Sequence, residues 1–373
     1  MKAEDVKKDS EKKNILICGA GQGGHAFAAY AALKGHDVTL YTHTPNKAEK
    51  INSQGNKIKL SGIYEGEAQL KDVTTDLESA VAVNDHIFII TDATVHKYYA
   101  ENMAPHLNKQ DVILVSPGIG GSLEFQNLVS KLNPQSNISV TETDTLVYAC
   151  KTPEIGHSYI KIEKNSMLGA TVAASPSLKS ILYDLYPQFI DTNNPLMGLD
   201  DSPVFHIVGM LKNADKILNE ENFNFYIDGI RPDVAEYMEK MDAERYKVAE
   251  AMGMEPRTVN EWLNLAYDVP MADLYTMIQN TPPYQNTPEV PNRSPAPKTL
   301  FHRYLMEEIP LRAVPTIKIA EILGIETPLY REMVSDACHL TGVNFWKSGR
   351  TLSDMGLSKK DINNWTHNYT WSK

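Results

Sequence analysis

The sequence predicts an α/β protein, with a doubly wound parallel sheet in the first half and an all-helical domain in the second. Three observations carry this reading. An apolar run, a glycine cluster, a helical stretch and a second apolar run follow one another between Asn14 and Tyr41. Short apolar runs then alternate with helical segments as far as residue 173, the pattern of a parallel sheet. From Pro203 onward apolar residues recur at helical spacing and strand signals almost vanish. A chain of 373 residues is long enough for two domains, each with its own core.

The elements follow in order. Residues 1–12 are charged, lack the apolar core of a signal peptide, and are expected to form a disordered arm. Asn14–Cys18 is a strand buried on both faces. An Ala-rich helix then runs to about Lys34 and stops at Gly35. Asp37–Tyr41 is the second strand, and segments 56–60 and 68–73 are short ones. Segments 76–81, 95–106 and 122–131 read as helices, and 86–90 and Asp111–Val115 as core strands, the latter ended by Pro117 and Gly118. Segments 138–141 and 167–173 are further strands. Ser202 caps and Pro203 opens one helix that continues through residue 218. Segment 232–252 is a long amphipathic helix closed by Gly253, and 282–297 is a Pro- and Asn-rich loop. Val314–Leu323 and segment 329–340 are the last helices. The domains expected are therefore the arm, a sheet domain over 13–195 and a helical domain over 196–373.

Composition narrows the function classes. Lys and Arg number 36 against 47 Asp and Glu, a formal net charge of -11, which argues against general binding to nucleic acid or anionic membranes. No apolar run approaches the ~20 residues of a membrane helix. Three cysteines, with no CxxC and no Cys/His cluster, give neither a disulfide framework nor a metal site, and point to a reducing cytoplasm.

The most informative motif is Gly19-Ala20-Gly21-Gln22-Gly23-Gly24. It fits G-x-G-x-x-G and lies between a strand and a helix, the context of a Rossmann dinucleotide-binding turn. The first glycine permits the turn, the second admits a pyrophosphate, and the third lets helix pack on strand. Donors at the helix N-terminus then face the phosphates. Gly19, Gly21, Gln22, Gly23 and Gly24 are thus expected to bind the cofactor, with Pro117 and Gly118 at a later strand end. An acidic residue ending the second strand would bind the ribose hydroxyls of NAD. This chain instead has Thr42, His43, Thr44, Pro45, Asn46 and Lys47, with no acid before Glu49. Thr42, His43 and Lys47 suit a 2′-phosphate, so NADP(H) is favoured over NAD(H).

In the second half, His206 lies in the first turn of its helix, where the helix field disfavours its cationic form. Asn213 is about two turns further along nearly the same stripe. Arg303, Glu307 and Glu308 stand close together in FHRYLMEEIP. An Arg can clamp a carboxylate through paired hydrogen bonds, and an acid can orient a His. An ordinary i,i+4 ion pair between Arg303 and Glu307 is the plainer alternative. Asp233, Glu236, Glu239 and Asp242 read as a solvated helix face, and Met238, Met241 and Met252 as core.

The motifs together resemble the opine dehydrogenase family, of the octopine/nopaline type within the 6-phosphogluconate-dehydrogenase-like group. They are GAGQGG, PGIGGSLEF (117–125), ETDTLVYACK (142–151), SPVFHIVGMLKN (202–213), MDAERYKVAEAMGM (241–254), HRYLMEEIP and GRTLSDMGL (349–357). The resemblance implies a Rossmann domain followed by a helical domain that carries substrate and catalysis. It also implies NAD(P)H-dependent reductive condensation of an α-keto acid with an amino acid to a secondary-amine dicarboxylate. In this family the catalytic His falls on His206, its orienting acid on Glu308 and the carboxylate-binding Arg on Arg303; Asn213 joins Arg303 on the substrate side. The chain departs from the pattern in carrying Glu308 where Asp is usual, Ile207 where Pro is frequent and Lys151 where Arg is frequent. The partners implied are small molecules, with no nucleic acid, no membrane and no metal, and a homodimer is allowed. Two other readings stay open. One is a ketopantoate-reductase-like or glycerol-3-phosphate-dehydrogenase-like enzyme that uses Lys212 and no amine. The other is an inactive dinucleotide sensor.

Overall fold

The computed structural model describes residues 11–172, 175–192, 194–200, 202–286 and 294–365. Residues 1–10 of the expected arm, residue 173 and residues 287–293 of the expected loop lie outside them. The described residues form two compact units, one of residues up to 117 and 121–195, the other of 118–120 and 196 onward.

The first unit is built on an eight-stranded sheet. Its strands are β1 (Asn14–Cys18), β2 (Asp37–Tyr41), β5 (Asp72–Thr74), β6 (His86–Ile89), β7 (Asp111–Val115), β8 (Ser139–Thr143), β11 (Met167–Val172) and β12 (Phe189–Asp191). They lie in the order β12-β11-β8-β7-β6-β1-β2-β5. The six from β5 to β8 run parallel, in the doubly wound order that reverses direction at β1. β11 is antiparallel to β8. The central strands β1, β6 and β7 are short, mostly apolar and buried, as both-face coverage requires.

A second sheet of four strands, β3 (Lys57–Gly62), β4 (Gly66–Gln69), β9 (Tyr148–Glu154) and β10 (His157–Glu163), has the order β4-β3-β10-β9. It covers α1 (Gln22–Leu33) on the side away from β1 and β2. Every residue of α1 from Gly23 to Ala31 is therefore buried, and its Ala-rich composition is that of a helix apolar all round. Segment 68–73, expected as one strand, is instead divided between the sheets. The backbone N–H of Leu70 bonds to Asn56 in the small sheet and that of Lys71 to Val38 in the large one. The β9–β10 hairpin was not expected; β9 is an edge strand, the one place where its Pro153 breaks no ladder. The other helices of this unit are α2 (Pro45–Ser53), α3 (Leu77–Ala82), α4 (His96–Met103), α5 (Gly121–Leu132) and α6 (Pro176–Leu185). Asp76 and Ser175 cap α3 and α6 through their side chains.

The second unit is helical among its described residues, apart from one bridge between Asn224 and Pro295. Its main helices are α7 (Val204–Leu211), α8 (Ala214–Leu218), α9 (Pro232–Ala251), α10 (Val259–Tyr267), α11 (Leu274–Asn280), α12 (Arg303–Met306), α13 (Val314–Leu323) and α14 (Pro328–Thr341). The single helix expected over 203–218 breaks at Lys212–Asn213. Asn213 leaves helical geometry (φ -121°, ψ 20°), and its side-chain amide donates to the carbonyls of Gly209 and Gly229. No described helix is long and apolar enough to cross a membrane.

α9 corrects the expectation of a wholly solvated acidic face. Asp233 and Glu236 are exposed, but Asp242 is buried, and Glu239 accepts from the Leu274 N–H and from Asn260. Met238, Met241 and Met252 are core, as expected. Asp242 pairs at 2.7 Å with Arg245, the largest fully buried side chain, which also donates to the carbonyls of Leu199 and Arg257. Removing one partner of such a pair strands the other charge. Arg245→Ala should lower unfolding free energy by about 3–5 kcal/mol in denaturant titration. A loss below about 1 kcal/mol would mean that Asp242 is relieved by water.

Candidate active site

The glycine turn between β1 and α1 is fixed by backbone geometry. Gly19 has φ +111°, and its N–H bonds to Tyr41 O at the end of β2. A Cβ on Gly24 would overlap the Gly19 carbonyl oxygen, so only glycine lets α1 sit this close to the turn. Gly23 lies against Ile90 and Leu146. Gly21 is the opposite case, since an added Cβ would meet nothing within 4 Å. It is also the N-cap of α1 and carries no side-chain cap, so the helix's first donors have no intrahelical partner. Open space in front of free N–H groups fits a dinucleotide pyrophosphate.

His25, one turn into α1, braces this cradle. Its Nδ1 lies 3.0 Å from Gly21 O, and its Nε2 accepts from the Gly156 N–H in the β9–β10 turn. Those partners require a neutral ring with its proton on Nδ1. Burial accordingly lowers the pKa of His25, opposed by the Gly21 bond and assisted by the Lys47 charge.

Beyond β2, Lys47 Nζ donates to Ala20 O at 3.1 Å, placing an ammonium at the edge of the glycine turn. Thr42 is buried, its hydroxyl accepting from the Thr44 N–H. His43 is exposed. Gly118 (φ +81°) is explained by packing, because a Cβ there would strike the backbone of Leu311 within the second unit. Pro117 is buried. The Ile119 carbonyl beside Gly118 accepts from buried Arg350, which joins two of the sequence motifs.

The second unit gathers ionisable groups around His206. α7 is buried along its length except at this residue, whose side chain is 26% exposed. Nδ1 of His206 is hydrogen-bonded to Glu308 Oε1, so the longer acid does reach the imidazole. Glu308 stands where α12 ends and a π-turn, Ile309–Ala313, begins. Pro310 lacks an N–H there, and Leu311 bonds back to Glu307. Nε2 of His206 lies 3.0 Å from the Tyr226 hydroxyl. The ring of Tyr304 stacks on the imidazole at 3.7 Å and 5°. Arg303, one residue before Tyr304, has a side chain 53% exposed and holds Glu307 at 3.2 Å. The i,i+4 pair read from sequence is thus present beside the His206 cluster.

Two expected residues lie elsewhere. Asn213 is buried, with both amide hydrogens on backbone carbonyls and its oxygen taken by Arg231, so it presents nothing to a substrate. Lys212 pairs with Glu332 and lies over the Tyr237 ring, in a hollow it shares with Lys216 and Arg231. Tyr226 and Tyr304 were not singled out from sequence. Tyr304 stood inside a quoted motif, but Tyr226 lies in an aromatic loop with no periodicity to mark it. Among the described residues no group of three or more His, Cys, Asp and Glu could hold a metal.

Comparison with known proteins places these units. Residues 198–341 match the model of the NAD/NADP octopine/nopaline dehydrogenase alpha-helical domain, and residues 15–152 that of ketopantoate reductase PanE/ApbA. An opine dehydrogenase of Arthrobacter sp. (strain 1C) is 29% identical over 353 residues, 93% of this chain and 96% of the relative. Octopine dehydrogenase solved with NADH and L-arginine superposes with a TM-score of 0.75 at 20% identity, covering 96% of this chain and 99% of that one. Yersinopine dehydrogenase with NADP+ bound gives a TM-score of 0.69 at 15% identity, with the same coverages.

The glycine geometry separates cofactor binding from folding. Gly21→Ala should leave the melting temperature within about 2 °C of wild type, since the methyl meets open space. It should weaken dinucleotide binding about tenfold or more by blocking the approach of the phosphates. Gly24→Ala should cost about 1–3 kcal/mol of stability or more by overpacking. Equal effects of the two on melting temperature would overturn the assignment.

Proposed function

We propose that the chain is an NADPH-preferring opine dehydrogenase of the octopine/nopaline type. It would condense an α-keto acid with an amino acid and reduce the product to a secondary-amine dicarboxylate. The observation that carries this reading is the His206–Glu308 hydrogen bond beside Arg303.

The bound nicotinamide supplies the hydride; the chain's own groups do the rest. Glycines 19–24 hold the pyrophosphate on the α1 N-terminus. Arg303 clamps a substrate carboxylate with paired donors, taking it in exchange for part of its bond to Glu307. His206 gives or takes a proton at Nε2, at the carbonyl oxygen or the amine nitrogen, while Glu308 accepts from Nδ1–H and stabilises the imidazolium. Condensation of two substrates gains further from their being held together. The simple-reductase alternative loses support because Lys212 is committed to Glu332 and Tyr237. The three cysteines are free thiols, in keeping with a cytoplasmic enzyme.

NADPH oxidation measured with a matrix of keto acids and amino acids tests the reaction. Turnover should require both partners, and turnover with a keto acid alone would move the reading to a simple reductase. His206→Ala should lower kcat about 10²- to 10⁴-fold with little change in dinucleotide affinity. Unchanged turnover would remove His206 from the reaction.

NADPH preference rests on His43 and Lys47 and on the missing acid after β2. The double variant His43→Ala/Lys47→Ala should raise KM for NADPH about tenfold, roughly 1.4 kcal/mol, and leave KM for NADH nearly unchanged. Equal losses with both would put Lys47 on the shared pyrophosphate.

A further inference from the structure

The loop between α8 and α9 is built to hold one hydroxyl in place. The Asn224 side chain accepts from the backbone N–H groups of Tyr226 and Ile227, both at 3.0 Å, while the Asn224 N–H donates to Asp228 at 2.8 Å. A Cβ on Gly209 of α7 would come within 2.8 Å of the Phe225 ring, and one on Gly229 would strike the Phe225 carbonyl. Both glycines let the loop press onto the helix that carries His206. The Tyr226 ring stacks on Tyr284 at 3.9 Å and 11°. Its hydroxyl is thereby delivered to His206 Nε2.

Resting on the reading of His206 as the proton-transfer group, we propose that Tyr226 is its positioning residue: before substrate binds, the Tyr226 hydroxyl donates to Nε2 and holds the ring in the tautomer with its proton on Nδ1 against Glu308, and it yields Nε2 to the reacting atom of the substrate. The groups facing the ring are Glu308 on Nδ1, Tyr226 on Nε2 and Tyr304 on one face, with Arg303 and Glu307 on the same segment as Tyr304. Burial, with the neighbouring Tyr304 and Tyr284, pushes the Tyr226 phenol well above its usual range, so it stays a donor at working pH. With Glu308 holding a proton on Nδ1, the Nε2 of a neutral ring is bare, and the Tyr226 O–H donates to it. The bond fixes the plane of the ring and its tautomer. Glu308 holds the opposite edge, so the two partners set the orientation of the imidazole together.

Tyr226→Phe removes the hydroxyl and keeps the ring stack, so its melting curve should match wild type. In the direction of opine oxidation, where His206 must be neutral to take a proton, kcat should fall roughly tenfold. KM for the opine should change little, because the hydroxyl acts on the imidazole and not on the substrate. In His206→Ala the added Tyr226→Phe should cost nothing further, since a group acting through His206 has nothing left to act on. An unchanged kcat, or a rise in KM alone, would overturn the proposal. So would a full additional loss in the double variant. If His206→Ala itself turns over normally, the reading of the site fails instead, and the two failures are distinct. Should the Phe variant prove unstable, 15N shifts of the imidazole in the wild-type chain decide alone: a protonated Nε2 at neutral pH overturns the assignment.

Discussion

The closest constraint in the first unit is the backbone approach of Gly24 to Gly19. It lets the first helix drop onto the turn that precedes it, and much of the unit is arranged around that helix. With one side on the large sheet and the other under the small one, α1 has no solvated face, and its run of small residues follows from that crowding. The same approach leaves Gly21 at the rim with open space before it. Packing thus treats two glycines three residues apart in opposite ways, one filled against backbone and the other left bare.

The second unit solves a different problem, that of fixing an imidazole without burying it fully. His206 is the one position of its helix that is not buried, with 26% of its side chain exposed. Each ring nitrogen has its own partner and one ring face is covered by Tyr304, so the side chain has little rotational freedom left. The supports come from three separate stretches of chain: α7, the Tyr226 loop and the segment that runs from α12 into the π-turn. The π-turn starts directly after Glu308, and Pro310 within it interrupts the regular hydrogen bonding of the helix.

Local signals made much of this legible in advance. Strands β1, β6 and β7 announced themselves as short apolar runs, and the glycine spacing located the tight turn between β1 and α1 because it encodes backbone sterics directly. His206, Arg303 and Glu308 could be placed only through the family resemblance, since a lone His and an Arg–Glu pair carry no distance information. The β9–β10 hairpin stayed hidden because its residues are mixed in polarity and its stability comes from a partner, β3, far away in sequence. Tyr226 was missed because its place beside His206 is set by a turn and by two glycines that matter only in three dimensions. Asn213 misled because stripe geometry presumes a continuous helix, and Asn213 is the residue that ends it.

The small sheet also bears on the order in which the chain can fold. β3 and β10 lie side by side, Lys59 beside His157, so one wall around α1 joins an early segment to a much later one. The glycine turn is synthesised well before β10. Its helix stays unroofed, and His25 lacks its Gly156 partner, until the chain has been extended past the β10 strand. Closing so long a loop is slow, and an apolar helix left open meanwhile is a site for aggregation. The βαβ segment that reads most clearly in the sequence is therefore among the last parts of its unit to be completed.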